Sequence, residues 1–413
     1  MRVLLLFVLC AIQLTANSFD MFDDDTPKSF DSTLSPHYQM KVGFNYESTN
    51  NSMTDQKQMI FYQTMDYKNY FIDYDITTNF DDLRINIKEL YYKHKLSARS
   101  FIDIGRINIK EGIARSYNPT DYFKGSGLLF NSLITRDRRE NRLGSLMIAH
   151  TLFFHFGSVK CIVSPQISAP KDSLWSDKQH IGLHLDATNY TNRASFYTSI
   201  NLDKDLFTSA MIHKNEDGLH FGTNISYVYH NWLFYNESTI KRSKDNLAKS
   251  IEYYHYDLLK KHFDTNTKTI YQGVFGLSYT SENNIETIVE YIFNGAGMRK
   301  SEWKKYFLLR QNTKHEQQLM SIRKYHHQKE AFFNKETLFA QVRFNEVKPN
   351  FDIAVLSFVN LYDHSSLNQL TLRYSKHDFQ LKLSARKRFG AAQSEYGSLD
   401  KKATYIAECK YYF

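Results

Sequence analysis

The chain has 413 residues, of which 42% are hydrophobic, 15% aromatic and 23% charged, with a net charge of +8. It has 3 Cys and 6 Pro, too few cysteines for a secreted disulfide scaffold. Past its first residues no apolar run approaches the ~20 residues of a spanning helix, which excludes a helical membrane protein.

Met1-Arg2 gives a positive start, and Val3 to Ile12 follow as an apolar run. Small and polar residues come next at Thr15, Ala16, Asn17 and Ser18, the layout of a secretory signal peptide over residues 1–18. Residues 19–36, with Asp23, Asp24 and Asp25 in a row, read as a periplasmic lead-in. An exported chain seldom meets nucleic acid, so the positive charge is not assigned to that partner.

Residues 37–413 alternate apolar and polar positions, the mark of strands with one apolar face. Leu83 to Lys88, Gln179 to Thr188, Leu338 to Asn345, Gln369 to Tyr374 and Gln380 to Arg386 all alternate. Many segments exceed the usual ~5–6 residues of soluble strands and suit the ~9–11 of tilted membrane strands. Tyr and Phe crowd their ends, as at Tyr91-Tyr92, Tyr227 to Tyr229, Tyr253-Tyr254 and Tyr411-Tyr412, which fits aromatic girdles. Short links (Tyr67 to Asn69, Leu96 to Ala98, Gly157, Asn189 to Asn192, Asn215 to Gly218, Lys348 to Asn350, His377) are expected on the periplasmic side. Long links (Lys110 to Asn141, Asn294 to Asn334, Gly390 to Lys401) are expected outside. The predicted fold is all-β: a transmembrane antiparallel β-barrel of about 18 strands, 16 to 20 allowed. Trp232 to Asn266 leaves room for an extra hairpin, and Glu302 to Glu330 is charged enough for helix within its loop. Phe413 supplies the terminal aromatic for the barrel-insertion machinery.

Asp103-Ile104-Gly105-Arg106, then Gly112, then Tyr117-Asn118-Pro119-Thr120-Asp121-Tyr122-Phe123 resembles porin-like outer-membrane proteins. In those proteins a Gly-Arg or Gly-Lys strand leads into an Asn-Pro-Thr-Asp-aromatic loop, as in barrels of the alginate-export type. Glu290 to Gly297, followed by Trp303, resembles another strand-to-loop element of such barrels. The resemblance implies a large monomeric barrel in the outer membrane, in contact with lipid and lipopolysaccharide, that moves small solutes or polymer chains.

With apolar residues toward lipid, Arg84, Lys88, Arg106 and Lys110 face the lumen early in the chain, and Arg343, Arg373, Lys382, Arg386 and Arg388 late. Closure of first strand on last joins the two sets into a basic wall, opposed by His180, His184, Asp186, Asn201 and Asp203. Basic rings favour anions, so the expected cargo is an anionic solute or glycan. The bland alternative is that Glu89, Glu286, Glu290 and Glu408 merely neutralise these residues. Asn118, Pro119, Thr120, Asp121, Tyr122 and Phe123 form a candidate constriction loop, with Asp121 meeting Arg106, Arg136, Arg138, Arg139 or Arg142. Neither Gly-x-Ser-x-Gly nor His-Glu-x-x-His occurs, so no enzyme, cofactor or metal is expected. The leading expectation is an outer-membrane channel, and the alternative a nonconductive surface or scaffold protein on the same barrel.

Overall fold

The computed structural model describes residues 37–49, 52–67, 69–78, 83–124, 139, 142–167, 181–182, 184–310, 313–328, 332–398 and 403–412. The expected signal peptide, the lead-in and Phe413 lie outside the described residues.

Alternating sequence becomes strand because a pleated backbone sends successive side chains to opposite faces. The strands are β1 (His37–Thr49), β2 (Ser52–Tyr67), β3 (Tyr70–Thr78), β4 (Leu83–Ser97), β5 (Ser100–Ile107), β6 (Ser145–Phe154) and β7 (Gly157–Ser164). They continue with β8 (Ile181–Gly182), β9 (Arg193–Asp203), β10 (Leu206–Asn215), β11 (Gly218–Tyr229), β12 (Trp232–Ser243) and β13 (Lys268–Thr280). The last are β14 (Ile285–Asn294), β15 (Glu336–Lys348), β16 (Phe351–Asn360), β17 (Ser366–Lys376), β18 (Phe379–Phe389) and β19 (Ala403–Tyr412). They form one 19-stranded sheet. Without the two-residue β8, which only bridges to β4 in parallel, it is the expected ring of 18 antiparallel strands. β1 pairs with β19, Lys41 opposite Tyr412, so the sheet closes and leaves no unpaired edge.

One rim, called lower here, carries tight turns such as 98–99, 204–205, 230–231 and 377–378. The upper rim carries the long connections 108–144, 165–192, 244–267, 295–335 and 390–402. Helices occur only in these connections among the described residues: α1 (Leu185–Thr188), α2 (Asn246–Tyr253), α3 (Asp257–Lys260), α4 (Lys300–Arg310) and α5 (Thr313–Gln328). Asp245 caps α2 by accepting from the Ala248 amide at 2.8 Å, as a short carboxylate at N-cap does. Leu247 and Ile251 of α2, Leu259 of α3, Trp303 and Tyr306 of α4 and Ile322 of α5 share one buried apolar cluster. Four helices thus make a packed cap above the barrel.

Three local expectations are corrected. Gln179 to Thr188 is not a long strand, because among its described residues only Ile181–Gly182 is extended and α1 follows. Counting it as a strand inverts the rims for what comes next, so Asn189 to Asn192 and Asn215 to Gly218 belong to the upper rim, not the periplasmic one. Trp232 to Asn266 contributes β12 and two helices instead of an extra hairpin, which places Tyr253-Tyr254 on the cap and not in a girdle. Alternation alone cannot separate a strand from a short amphipathic turn of helix.

The outer face is apolar. Along β11, Leu219, Phe221, Ile225, Tyr227 and Tyr229 are exposed while His220, Gly222 and Asn224 between them are buried inward. Leu383 and Phe389 of β18 and Tyr405 of β19 continue this belt. Tyr70, Phe153, Phe154, Phe156, Tyr229 and Trp232 ring the lower rim with exposed aromatics, the position of a membrane-interface girdle. Leu383→Arg is expected to destabilise the barrel in lipid vesicles by about 2–4 kcal/mol, read from denaturant titration. Lys382→Ala, one residue away and inward, is expected to cost under about 1 kcal/mol.

Candidate functional site in the barrel lumen

After Ile107 the chain leaves the wall. Gly144, where it returns, donates its amide to the Lys88 carbonyl at 2.9 Å, bridging the gap that β5 leaves beside β4. The excursion between these points crosses the barrel to β12 and β14, six and eight places around the 18-strand ring from β5. The candidate constriction loop therefore lies inside the lumen.

Two carboxylates hold it there, both with no exposed surface. Glu237 projects from β12. Its Oε2 accepts from the amides of Ile113 at 2.8 Å and Ala114 at 3.0 Å and from Asn118 Nδ2 at 2.8 Å. Its Oε1 accepts from the Thr120 amide at 3.0 Å and Thr120 Oγ1 at 2.7 Å. Glu290 projects from β14 and accepts from the amides of Arg115 at 2.6 Å and Ser116 at 2.9 Å. The Ser116 and Tyr235 hydroxyls also donate to Glu290. A buried carboxylate is costly unless its lone pairs are filled, and here loop donors fill them. Gly112 opens this turn with φ of 95°. A Cβ there would stand 2.7 Å from Glu237 Oε1 and from Asn118 Nδ2, so only glycine lets the backbone come this close.

The far end of the loop is fixed separately. Asp121 binds Arg142 through Nη1 at 2.7 Å and Nη2 at 3.1 Å, with Arg139 Nε at 3.8 Å. Two of the arginines expected for Asp121 thus meet it; Arg136 and Arg138 lie outside the described residues. Arg106 does not join them: it is 3% exposed and donates Nε–H to the Gly144 carbonyl at 3.1 Å. Tyr122 shares a 2.7 Å hydrogen bond with Thr239 and stacks on His213. Phe123 packs edge-on to His213 beneath the Arg193 guanidinium. Pro119 sits buried between the donors Asn118 and Thr120.

The loop fills one sector of the lumen. Ala114 and Tyr117 pack on inward apolar residues of β12 to β17, including Val274, Ile288, Phe339 and Leu356. Phe123 packs on Met147, Ile162 and Met211 of β6, β7 and β10. These apolar inward positions break the rule that apolar residues face lipid, because the loop covers them.

The late basic residues lie below or beside the positions the loop covers: Arg343 and Arg373 nearer the lower ends of β15 and β17 than Phe339 and Leu367, and three more on β18. In β18, Lys382 and Arg386 share the inward parity with Ser384, and Arg388 follows on the same side. Arg386 donates to Gln369 Oε1 through Nε and Nη2, each at 3.2 Å. Arg373 faces Lys382 across β17–β18 and stands 3.8 Å from Asp352. Lys382 is 3.4 Å and Lys410 is 2.7 Å from Glu408. Arg343 reaches Glu286 at 3.7 Å, and loop residue Arg115 reaches the same carboxylate at 3.8 Å. Among the described residues of this wall, cations outnumber acids. The early set is balanced instead: Lys88 meets Asp73 at 2.9 Å and Lys110, beyond the end of β5, meets Glu89 at 3.9 Å. Arg84 lies in β4 opposite Thr77, with its side chain outside the described residues. Asn201 and Asp203 sit low on β9, His184 and Asp186 belong to the upper connection around α1, and His180 is not among the described residues.

No protein-family model matches this chain, and no curated protein matches it. Solved structures do. OccAB1 of Acinetobacter baumannii superposes with a TM-score of 0.55 at 8% identity, covering 92% of this chain and 96% of that one. The outer membrane protein OpdK of Pseudomonas aeruginosa gives 0.51 at 8% identity, covering 92% and 99%. OccK11 (OpdR) of the same organism gives 0.51 at 10% identity, covering 92% and 95%. The fold is that of the outer-membrane porins. The apolar belt and lower aromatic ring fit the lipid of such a membrane.

Sequence reasoning located the loop but missed its anchors. Glu237 carried no flag, and Glu290 stood as a possible neutraliser of basic residues and as the start of a strand-to-loop element, not as an anchor. The signal for both was an acid at inward parity in the middle of a strand, Glu237 between Tyr235 and Thr239, Glu290 between Ile288 and Ile292.

The cap is tied to the last upper loop by Arg323 of α5, which donates Nη1–H to Ser398 Oγ at 2.8 Å and Nη2–H to the Glu395 carbonyl. The Glu395 carboxyl accepts from Asn360 Nδ2 at 2.8 Å. Burial, opposed by Arg323 and aided by Asp363, pushes it up to about 7. A carboxyl raised in the folded state stabilises most below its unfolded value, ~4.3, and that stabilisation is lost as pH rises through the folded one.

Two outcomes follow. Glu237→Ala leaves buried amides without acceptors at about 1–3 kcal/mol each, so amide hydrogen exchange across Ile113 to Thr120 is expected to accelerate at least tenfold. Protection of the Ser394 to Ser398 amides, corrected for intrinsic rate, is expected to fall as pH rises through about 7 and to hold constant there in Glu395→Gln.

Proposed function

We propose that this protein is an outer-membrane channel for small solutes, narrowed by the infolded loop and biased toward anions. The observation that carries the reading is the division of the lumen. The loop covers the upper inward positions as far as β17, and the described cations lie below it on Arg343 of β15, Arg373 of β17 and Lys382 of β18, beyond it on Arg386 and Arg388 of β18, and on the loop's Arg115 and Lys410 of β19. Arg343, Arg373, Lys382, Arg386 and Arg388 line the path on this reading, and Asn118 to Phe123 form part of the constriction. Fixed guanidinium and ammonium groups in a narrow aqueous passage raise local anion concentration. The likeness to OpdK, which has also been solved with vanillate, supports a small organic anion as cargo. The resemblance of Asp103 to Arg106, Gly112 and Tyr117 to Phe123 to alginate-export-type barrels supports passage of a polymer chain as the wider form of this reading. A monomer suits the apolar belt of the described strands.

Purified protein in a planar bilayer under a salt gradient is expected to give a reversal potential of anion-selective sign. The triple variant Arg343→Gln, Arg373→Gln, Lys382→Gln should lose most of that selectivity. Deleting Tyr117 to Phe123 should raise single-channel conductance about twofold or more. Cation selectivity in the parent would overturn the anion bias, and absence of conductance would overturn the channel.

A further inference from the structure

The anchor of the loop tip contains two buried histidines that solute passage does not require. His213 of β10 and His220 of β11 are direct cross-strand partners, 1% and 3% exposed. Their rings meet edge to face with centroids 5.5 Å apart. Tyr122 lies on both, stacked on His213 at 4.7 Å and edge-on to His220 at 5.5 Å. The seat is shaped for it: Gly222, the next inward residue of β11, has no side chain, and a Cβ there would be 2.5 Å from the Tyr122 hydroxyl. His213 Nδ1 shares a 2.7 Å hydrogen bond with Ser195. The other three ring nitrogens of the pair have no hydrogen-bond partner.

The surroundings are cationic. Lys241 of β12 is the cross-strand partner of His220, so one row across three strands reads His213, His220, Lys241. Arg193 of β9 faces His213, Lys249 of α2 faces His220, and Lys124 of the loop lies near Lys241. The facing carboxylate is Asp217 in the β10–β11 turn, already bound to Lys249, with Glu216 beside Arg193. Asp121, one residue from Tyr122, is held by Arg142.

We propose that the His213–His220 pair is an acid-operated release for the loop tip. An ordinary imidazole is largely neutral above pH ~6.5 and charges below it. Two charged rings directly opposite each other, continued by Lys241, repel, and unpartnered buried N–H groups seek water. Docking of Tyr122 and Phe123 is therefore favoured at neutral pH and lost as pH falls. Residues 113 to 120 stay fastened by Glu237 and Glu290, so the freed tip swings into the open sector and narrows the passage.

The inference rests on the channel reading for its consequence but not for the motion, and the test separates the two. Cys161 and Cys409 are replaced by Ser, and spin labels are placed at Lys124→Cys and at Leu202→Cys low on β9. The label-to-label distance is expected to shift reversibly between about pH 7.5 and about pH 5. It should stay fixed in His213→Phe/His220→Phe, which keeps ring packing and removes the charge. His220→Gln alone, a milder change, should at least halve the shifted population at about pH 5. Single-channel conductance of the unlabelled protein should fall over the same range. A distance indifferent to pH, or an equal shift in the double variant, overturns the release. Movement without conductance at any pH retains the release and removes the channel.

Discussion

Carboxylates inside a barrel are expensive, and Glu237 and Glu290 are fully buried. What makes them tolerable is that the chain brings its own donors to them. Amides of Ile113, Ala114, Arg115, Ser116 and Thr120 converge on the two acids with two hydroxyls and an amide side chain from the loop. Everything about the lumen follows from this fastening. It sets which wall the loop covers, which inward positions can be apolar, and which sector remains for solute. It also occupies the two acids with loop donors, so neither is left to neutralise the arginines of β15 to β18.

The barrel itself was legible because closure and burial leave periodic traces. Parity along β18 and β19 separates Leu383 and Tyr405 from Lys382, Arg386 and Glu408 without any coordinates. Parity failed where a second layer covers the inner face. Ile288 and Ile292 are apolar yet inward, on the same parity as Glu290, because the loop buries them. It failed again at Gln179 to Thr188, where alternation came from one turn of helix and a two-residue bridge. The fastening left no trace at all. Glu237 meets residues more than a hundred positions away through their backbone, and a backbone amide carries no sequence signature. Asp121 with Arg142 was within reach because both partners are side chains in one loop.

Identity of 8–10% to porins of the same fold has a physical reading. A barrel wall asks for apolar residues outward, tolerant polar residues inward and hydrogen bonds all around. Each demand is met by many residue types, so chains with few identical residues can share the architecture. Particular residues are demanded where geometry is tight, as at Gly112 against Glu237, Gly222 under Tyr122 and the donors around Glu290. Positions of this kind give the lumen its particular shape.

The seam between β1 and β19 has a consequence for how the molecule is made. Lys41 and Tyr412 are partners separated by nearly the whole chain, so this pairing carries the largest loop-closure entropy of any in the sheet. Consecutive hairpins can zip early, but the cylinder shuts last. Before it shuts, β1 and β19 both offer bare edges to any other strand, the state most open to aggregation. The lumenal loop constrains the order further. Segment 113–120 has no seat until β12 and β14 stand in place, so the molecule acquires a continuous wall before its interior is partitioned.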